Sequence, residues 1–337
     1  ASSRIATIGG EIGNNASGVR SVKYGATRDA VLGMKVVLPT GELVTLGAHT
    51  KVEASGYQLH KLMVGSEGTL GIVVEATLKF VPIPEFRCLG VANFDTLRDA
   101  GEAVGEIMAS GANPSMLELV DSVAIKAVNK TMDLGLKEVA AALIYEADGM
   151  VKEAVDYEIK KMQDICTKHK GMDIQSSYDP KERAKLFMGR KKLFPALSKY
   201  DDSLASTSLA DDMAVPYSKM ADTAAKIHET AEKHNIIMTA YGHCGSGCMH
   251  TKILMDTDRK DQWESARKAV AEIYEYVRSI KGTTSAEHGI GLSKAEAFKQ
   301  EKKDSLQMLE AVKKALDPNN ILNPAKLMQA PDDWVTA

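Results

Sequence analysis

Apolar and polar positions follow two different rhythms along this 337-residue chain. Residues 1–84 read as short strands between glycine turns. Stretches 31–38 and 42–46 have the alternation of strands and are joined at Pro39-Thr40-Gly41, a turn signal. Residues 71–81 form another apolar strand pattern. Between them, 57–63 suits a short helix ending near Gly65. Pro82-Ile83-Pro84 then breaks the pattern and marks a domain boundary.

From Arg87 the pattern becomes strands alternating with longer amphipathic helices. Strands are expected at 89–94, 139–146, 212–216, 236–242 and 250–256. Helices are expected at 96–110, 151–169, 218–234, 259–280 and 305–316. Thr96 is placed to cap the first of these, with Gly111 just past its end. The β-α-β-β-α-β alternation predicts an α+β sandwich of ferredoxin-like type. The expected division is therefore 1–84, 85–304 and 305–337, with no internal repeat and no low-complexity tract.

Composition narrows the possibilities by exclusion. With 44% apolar and 26% charged residues the chain is an ordinary globular protein. Its net charge of -3 gives no basic field for nucleic acid, and no apolar run approaches a membrane span. Cys88, Cys166, Cys244 and Cys248 make no disulfide framework, which points to a reduced, cytoplasmic compartment. The start, Ala1-Ser2-Ser3-Arg4, is neither a signal peptide nor an initiator start. The expectation is a cut, processed or partly represented chain.

Candidate chemistry is concentrated late in the sequence. Three of the eight histidines lie in Gly242-His243-Cys244-Gly245-Ser246-Gly247-Cys248-Met249-His250 and Glu287-His288-Gly289-Ile290-Gly291. Two imidazoles and a carboxylate are a common ligand set for zinc and similar divalent ions, and His288 is placed to act as a base. The spacing is not that of a helix-borne H-E-x-x-H site. Gly245-Ser246-Gly247 between the first two histidines indicates a tight loop. Two histidines satisfied inside a core are the plainer alternative. Glycine clusters at 9–18 and 65–71 expose backbone N–H groups that can hold phosphate or ring carbonyl oxygens. They match neither the dinucleotide fingerprint nor the Walker loop, and plain turns would explain them too.

Taken in order, these motifs resemble a known family. They are Ala6-Thr7-Ile8-Gly9-Gly10, Asn15-Ala16-Ser17-Gly18, Lys23-Tyr24-Gly25, Val64-Gly65-Ser66-Glu67-Gly68-Thr69-Leu70-Gly71, the two histidine motifs and Leu322-Asn323-Pro324. The chain resembles the C-terminal two thirds of FAD-dependent D-2-hydroxyacid dehydrogenases. That group includes D-lactate dehydrogenases and the glycolate oxidase flavin subunit, within the vanillyl-alcohol-oxidase superfamily. The resemblance implies the second half of an FAD-binding domain at 1–84, a ferredoxin-like substrate or cap domain at 85–304, and a tail at 305–337 returning to the flavin domain. Family members begin with a further segment that wraps the FAD pyrophosphate; nothing in this sequence corresponds to it.

The resemblance also implies roles for single residues. Gly9, Gly10, Ser17, Gly65, Gly68, Thr69, Gly71 and Ile72 would line the FAD, and the Asn323 amide would face the flavin ring. His243, His250 and Glu287 would bind zinc or manganese, and His288 would be the catalytic base. Arg190, in Phe187-Met188-Gly189-Arg190-Lys191-Lys192, would hold the substrate carboxylate, a task suited to a planar guanidinium. Read alone, Arg190 is one cation on a solvated helix face. The family usually has Asp and Asn where this chain has Ser246 and Cys248, and Cys244 is also unusual. Lys252 stands where a polar residue often helps to bind substrate. Cys244 and Cys248 are either soft zinc ligands or small buried apolar residues.

The expected function is oxidation of a D-2-hydroxy acid, lactate or glycolate in type, by an FAD- and metal-dependent dehydrogenase. Electrons would leave to an electron-transferring flavoprotein, an iron–sulfur subunit or a cytochrome, with peripheral membrane attachment only through a partner. A partner chain supplying the remaining flavin-domain half is a further expectation. The alternatives are a non-catalytic or incomplete flavoprotein subunit and a zinc hydrolase.

Overall fold

The computed structural model describes residues 5–132, 135–209 and 211–331. Ala1-Ser2-Ser3-Arg4 and the last part of the 305–337 tail lie outside the described residues. Internal contacts divide the chain into two compact units. One holds residues 19–23 and 83–283, and the other holds 5–18, 24–82 and 284–331.

The second of these, the glycine-rich unit, is built on an antiparallel sheet. Strands β1 (Val31–Val37), β2 (Leu43–Gly47) and β3 (Ile72–Leu78) lie in the order β2-β1-β3. The turn at Pro39-Thr40-Gly41 pairs Val37 with Leu43, and Gly41 supplies the positive φ of 85°. Ile12, Val31, Met34, Val36, Met63, Val64 and Leu70 form its core, with Val312 and Leu316 of helix Leu306–Leu316 packed against them. Full burial of each such large side chain is worth about 1.5–3 kcal/mol.

One difference from expectation lies here. Residues 8–14, read as loop because of their glycines, form the helix Ile8–Asn14. Its ends decide the matter. The Thr7 hydroxyl accepts from the Gly10 N–H, and Asn15 closes the helix in the left-handed conformation at φ 54°.

The larger sheet unit carries β4 (Phe86–Phe94), β5 (Met116–Asp121), β6 (Ala141–Gly149), β7 (Met172–Ser177), β8 (Ala205–Thr207), β9 (Met213–Ala214), β10 (Ile237–Gly242) and β11 (Cys248–Met255). The order is β7-β4-β6-β5-β10-β11-β8, with β9 on β11. The run β4, helix Leu97–Ala109, β5, helix Ser122–Met132, β6, helix Lys152–Lys168, β7 is a β-α-β-β-α-β unit with one helix inserted between its middle strands, all its pairings antiparallel. Thr96 caps the first helix by accepting from the Asp99 N–H. Strands β5 and β7 and helices Ser122–Met132 and Pro180–Leu197 complete the sheet unit and were not expected.

The sequence pattern placed boundaries at 84/85 and 304/305. Contacts instead divide the chain between Pro82 and Ile83 and between Thr283 and Thr284. Thr284 is tied forward, since its N–H and hydroxyl both donate to Glu301, at 2.8 and 2.9 Å. The motif Glu287-His288-Gly289-Ile290-Gly291 therefore belongs to the glycine-rich unit.

Candidate active site

His243 and His250 are brought together by a hairpin. Strand β10 ends at Gly242, one 3-10 turn covers Cys244–Ser246, and β11 begins at Cys248, so that His250 pairs with Tyr241. The His243 carbonyl accepts from the N–H groups of Ser246 and Cys248, at 2.9 and 3.2 Å. The imidazole centroids stand 5.1 Å apart, edge to face. Gly247 makes this turn possible. Its φ is 79°, and a Cβ there would lie 2.5 Å from the Val215 carbonyl oxygen. Gly247→Ala should destabilise the chain by about 2–4 kcal/mol, adding left-handed strain to overpacking. A chemical denaturation midpoint equal to that of the parent would show that the hairpin tolerates a side chain.

Each imidazole rests on a buried carboxylate that a cation neutralises. Glu118, on β5, is fully buried. It faces His243 Nδ1 at 2.6 Å through one oxygen and accepts from Arg190 Nε at 2.7 Å through the other. Asp211 faces His250 Nδ1 at 3.0 Å through Oδ1, while its Oδ2 accepts from Lys252 Nζ at 2.6 Å. Burial pushes both acids toward protonation. For Glu118 it is outweighed by Arg190 and His243, and for Asp211 by His250 and Lys252, so both stay below the usual carboxylate range. A carboxylate on Nδ1 fixes each neutral ring in the tautomer whose lone pair is on Nε2, the arrangement in which imidazole binds a metal.

Helix Pro180–Leu197 delivers Arg190. Asp179 caps it, accepting from the N–H groups of Lys181 and Glu182, with Pro180 in the first turn. The Arg190 side chain is 13% exposed, and its guanidinium carbon lies 5.1 Å from the Tyr241 ring centre. It is not a cation on a solvated face. Nε is held by Glu118, and the Nη groups are the donors that remain for a ligand.

The residues that depart from the family pattern separate clearly. Cys244 is buried in the core, and its thiol donates to the Leu117 carbonyl at 3.2 Å. Burial, reinforced by Glu118, pushes that thiol well up, which suits the small apolar reading and not a ligand. Cys248 Sγ lies 3.7 Å from His250 Nε2 and 4.0 Å from Asp212 Oδ1. Lys252 is buried on Asp211, its ammonium also bonded to Ser208 and 5.3 Å from the Phe194 ring centre. Its task is to neutralise Asp211. Sequence reading missed Glu118, Asp211 and Asp212. Asp212 is fully buried at φ 71°, and one of its oxygens lies within 4.8 Å of a His250 ring nitrogen.

In the glycine-rich unit, the Ser17 hydroxyl donates to Glu287 Oε2 at 2.7 Å, and His288 Nε2 lies 3.5 Å from Glu287 Oε1. The Glu287 side chain is 10% exposed and that of His288 is 49% exposed. The residues expected to line a cofactor play distinct parts. Gly9 and Gly68 have open space where a Cβ would be, and Ile72 is exposed. The Gly10 N–H is taken by Thr7, and Gly65 turns the chain at φ 81°. Thr69 is buried, its hydroxyl donating to the Ser66 carbonyl. Gly71 packs on the sheet, where a Cβ would meet Val36 at 2.4 Å. Buried Lys313 donates to the carbonyls of Thr69 and Leu322, so the loop and the tail are joined.

Residues 83–327 match the FAD linked oxidases, C-terminal domain, and residues 1–47 match an FAD binding domain. The chain belongs to the FAD-linked oxidases. This FAD-linked oxidase is 36% identical to glycolate oxidase subunit GlcD of Bacillus subtilis, over 97% of the chain and 69% of the relative. It is 34% identical to a mitochondrial D-lactate dehydrogenase [cytochrome] of Arabidopsis thaliana, over 96% of the chain and 56% of the relative. Escherichia coli GlcD is 33% identical, over 96% of the chain and 64% of that protein. The chain thus spans between about half and two thirds of the length of these relatives. Among solved structures, p-cresol methylhydroxylase with substrate bound shares the fold at a TM-score of 0.73 and 18% identity, over 97% of this chain and 70% of that one. A 4-ethylphenol oxidase from Gulosibacter chungangensis does so at 0.71 and 16%, over 97% and 71%. The vanillyl-alcohol-oxidase type of fold expected from the motifs is therefore present. The open backbone at Gly9 and Gly68 fits the close approach an FAD requires.

Proposed function

We propose that this FAD-linked oxidase oxidises a D-2-hydroxy acid of lactate or glycolate type to the 2-oxo acid. The observation that carries the reading is the pair of cation–carboxylate–imidazole sets, Arg190–Glu118–His243 and Lys252–Asp211–His250. Each presents an imidazole oriented for a metal, and the first adds a guanidinium suited to a carboxylate. The names of the relatives support the substrate class.

His243, His250 and Glu287 are the proposed ligands of a zinc or manganese ion. Asp212 is a fourth candidate that the structure adds. Arg190 holds the substrate carboxylate through its Nη groups. His288 takes the proton of the 2-hydroxyl as general base. Gly9, Gly10, Gly65, Gly68 and Ile72 are the proposed FAD lining; Ser17, Thr69, Gly71 and Asn323 shape the loops around it. Bound FAD would accept the hydride from C2, and the divalent ion would supply positive charge beside the hydroxyl. The match to FAD-linked families leaves the zinc-hydrolase alternative without support.

The electron acceptor is proposed to be a protein: an electron-transferring flavoprotein, an iron–sulfur subunit or a cytochrome. The words "subunit" and "[cytochrome]" in the relatives' names support that class. Among the described residues no helix is long and apolar enough to cross a membrane. A cytoplasmic protein, peripheral at a membrane only through its partner, is the proposed setting. Leu43, Ile72 and Val74 leave apolar surface exposed on the small sheet. We infer that a further flavin-domain segment, fused or on a partner chain, completes the FAD cradle there.

The metal assignment is tested by elemental analysis of purified His243→Ala and His250→Ala chains. Both should lose the divalent ion carried by the parent. Parental metal content in both variants would remove these histidines from the ligand set.

A further inference from the structure

The glycine loop at 65–71 and the motif at 287–291 lie far apart in sequence, yet Glu67 binds one to the other. Its Oε1 accepts from the Ile290 N–H at 2.6 Å and its Oε2 from the Gly291 N–H at 2.8 Å. Consecutive backbone N–H groups of this kind form an anion-binding concavity. Gly289 makes room for the carboxylate. Its φ is 84°, and a Cβ there would stand 2.7 Å from Glu67 Oε1.

Glu67 is itself held on both sides. Its N–H donates to the Gly13 carbonyl at 2.9 Å, and its carbonyl accepts from Asn323 Nδ2 at 2.6 Å. It adopts φ 52°, an uncommon conformation for a residue with a side chain. Three separate stretches of sequence thus converge on one glutamate. At the other end of the motif, the Ser17 hydroxyl holds Glu287 Oε2, with Oε1 on the side of His288.

We propose that Ser17 and Glu67 are positioning residues for the Glu287-His288 motif. Ser17 sets the rotation of the Glu287 carboxylate, and Glu67 fixes the backbone turn that follows His288. The loop that belongs to the cofactor half thereby sets the geometry of a metal ligand and a base. This inference rests on the proposed function and deepens it. A glutamine at position 67 keeps the shape but presents one carbonyl acceptor and one amide NH2 donor, so an N–H group would face another donor. Outer partners of ligating carboxylates typically tune metal affinity about 10–100-fold.

The test uses Co2+ alone, added to the whole chain, with its visible absorption reporting the number and kind of ligands. The parental chain should give a band that His250→Ala abolishes. Ser17→Ala and Glu67→Gln should shift the band and weaken Co2+ binding about 10–100-fold, with the Ser17→Ala melting temperature close to the parental one. Ser17→Thr, which keeps the hydroxyl, should restore the parental spectrum. An unaltered band and affinity in both Ser17→Ala and Glu67→Gln overturns the positioning role while the metal reading stands. Failure of the parental chain to bind Co2+ overturns both. Should Glu67→Gln not fold, Ser17→Ala decides alone.

Discussion

Arg190→Ala should destabilise the chain by about 3–5 kcal/mol, because it leaves a buried carboxylate without its cation. Arg190→Lys should leave the fold nearly intact and weaken 2-hydroxy acid binding about 10–100-fold, the worth of a charge-assisted hydrogen bond to a carboxylate. The two variants separate the two tasks of this side chain. Glu118 is fully buried, and burial alone would push its carboxyl up; Arg190 and His243 together hold it below the usual range. A lysine ammonium can still neutralise Glu118, but it lacks the second edge of the guanidinium fork that a substrate carboxylate would meet.

The pH dependence follows from the same contact. A carboxylate whose folded pKa is depressed contributes stability that is fully present above its unfolded value of about 4.3. That stability is lost as pH falls through the depressed folded value. In Arg190→Ala the depression shrinks, so the gap in stability between parent and variant should be widest near neutrality and close in acid. Urea denaturation across pH checks the fold. Substrate titration of the flavin-loaded protein checks the binding. Equal stability of Arg190→Ala and parent would contradict the buried-pair account. Unaltered kinetics of Arg190→Lys on every 2-hydroxy acid tried would remove Arg190 from the substrate site.

The histidine pair, the glutamate and the proposed base stand out in the sequence because glycine turns and imidazoles are locally conspicuous. Their supports do not. Glu118 lies in a strand that is buried throughout, Met116–Asp121, where an acid looks like an interruption of the apolar pattern. It is tolerated only because Arg190 and His243 meet it, and both are distant in sequence. The pattern puts Asp212 at the start of a short strand, 212–216, and nothing local in sequence points it or Asp211 toward His250. Helix Pro180–Leu197 did carry a legible signal, an Asp179 cap before Pro180, although its apolar positions form no clean face. Gly71 carries a second signal that the sequence alone does not show. Its motif suggests a cofactor contact, and the structure adds a packing reason for glycine there, close approach to Val36. A glycine in a motif marks close approach, and only coordinates say what approaches.

His288→Ala should slow flavin reduction by about 10²–10⁴-fold, the usual range for losing a general base, while FAD and metal stay bound. His288 Nε2 lies 3.5 Å from Glu287 Oε1, and half its side chain is exposed, so it neighbours a proposed ligand and can still exchange a proton with solvent. Removing the imidazole takes away no proposed ligand of the metal or FAD. The effect has to be read in a protein that holds flavin. The 337-residue chain spans 56–69% of the length of its relatives, and its FAD-domain match covers residues 1–47 only. Alone it should show little or no dehydrogenase activity, since hydride transfer needs an acceptor held in place. Supplying an N-terminal flavin-domain segment, fused or as a partner chain, should restore both flavin absorbance and its bleaching by D-lactate or glycolate. In that complete protein the His288→Ala variant should keep the absorbance and lose the bleaching. Rapid bleaching in the variant would assign the proton to another group, and loss of flavin or metal would make His288 a structural residue.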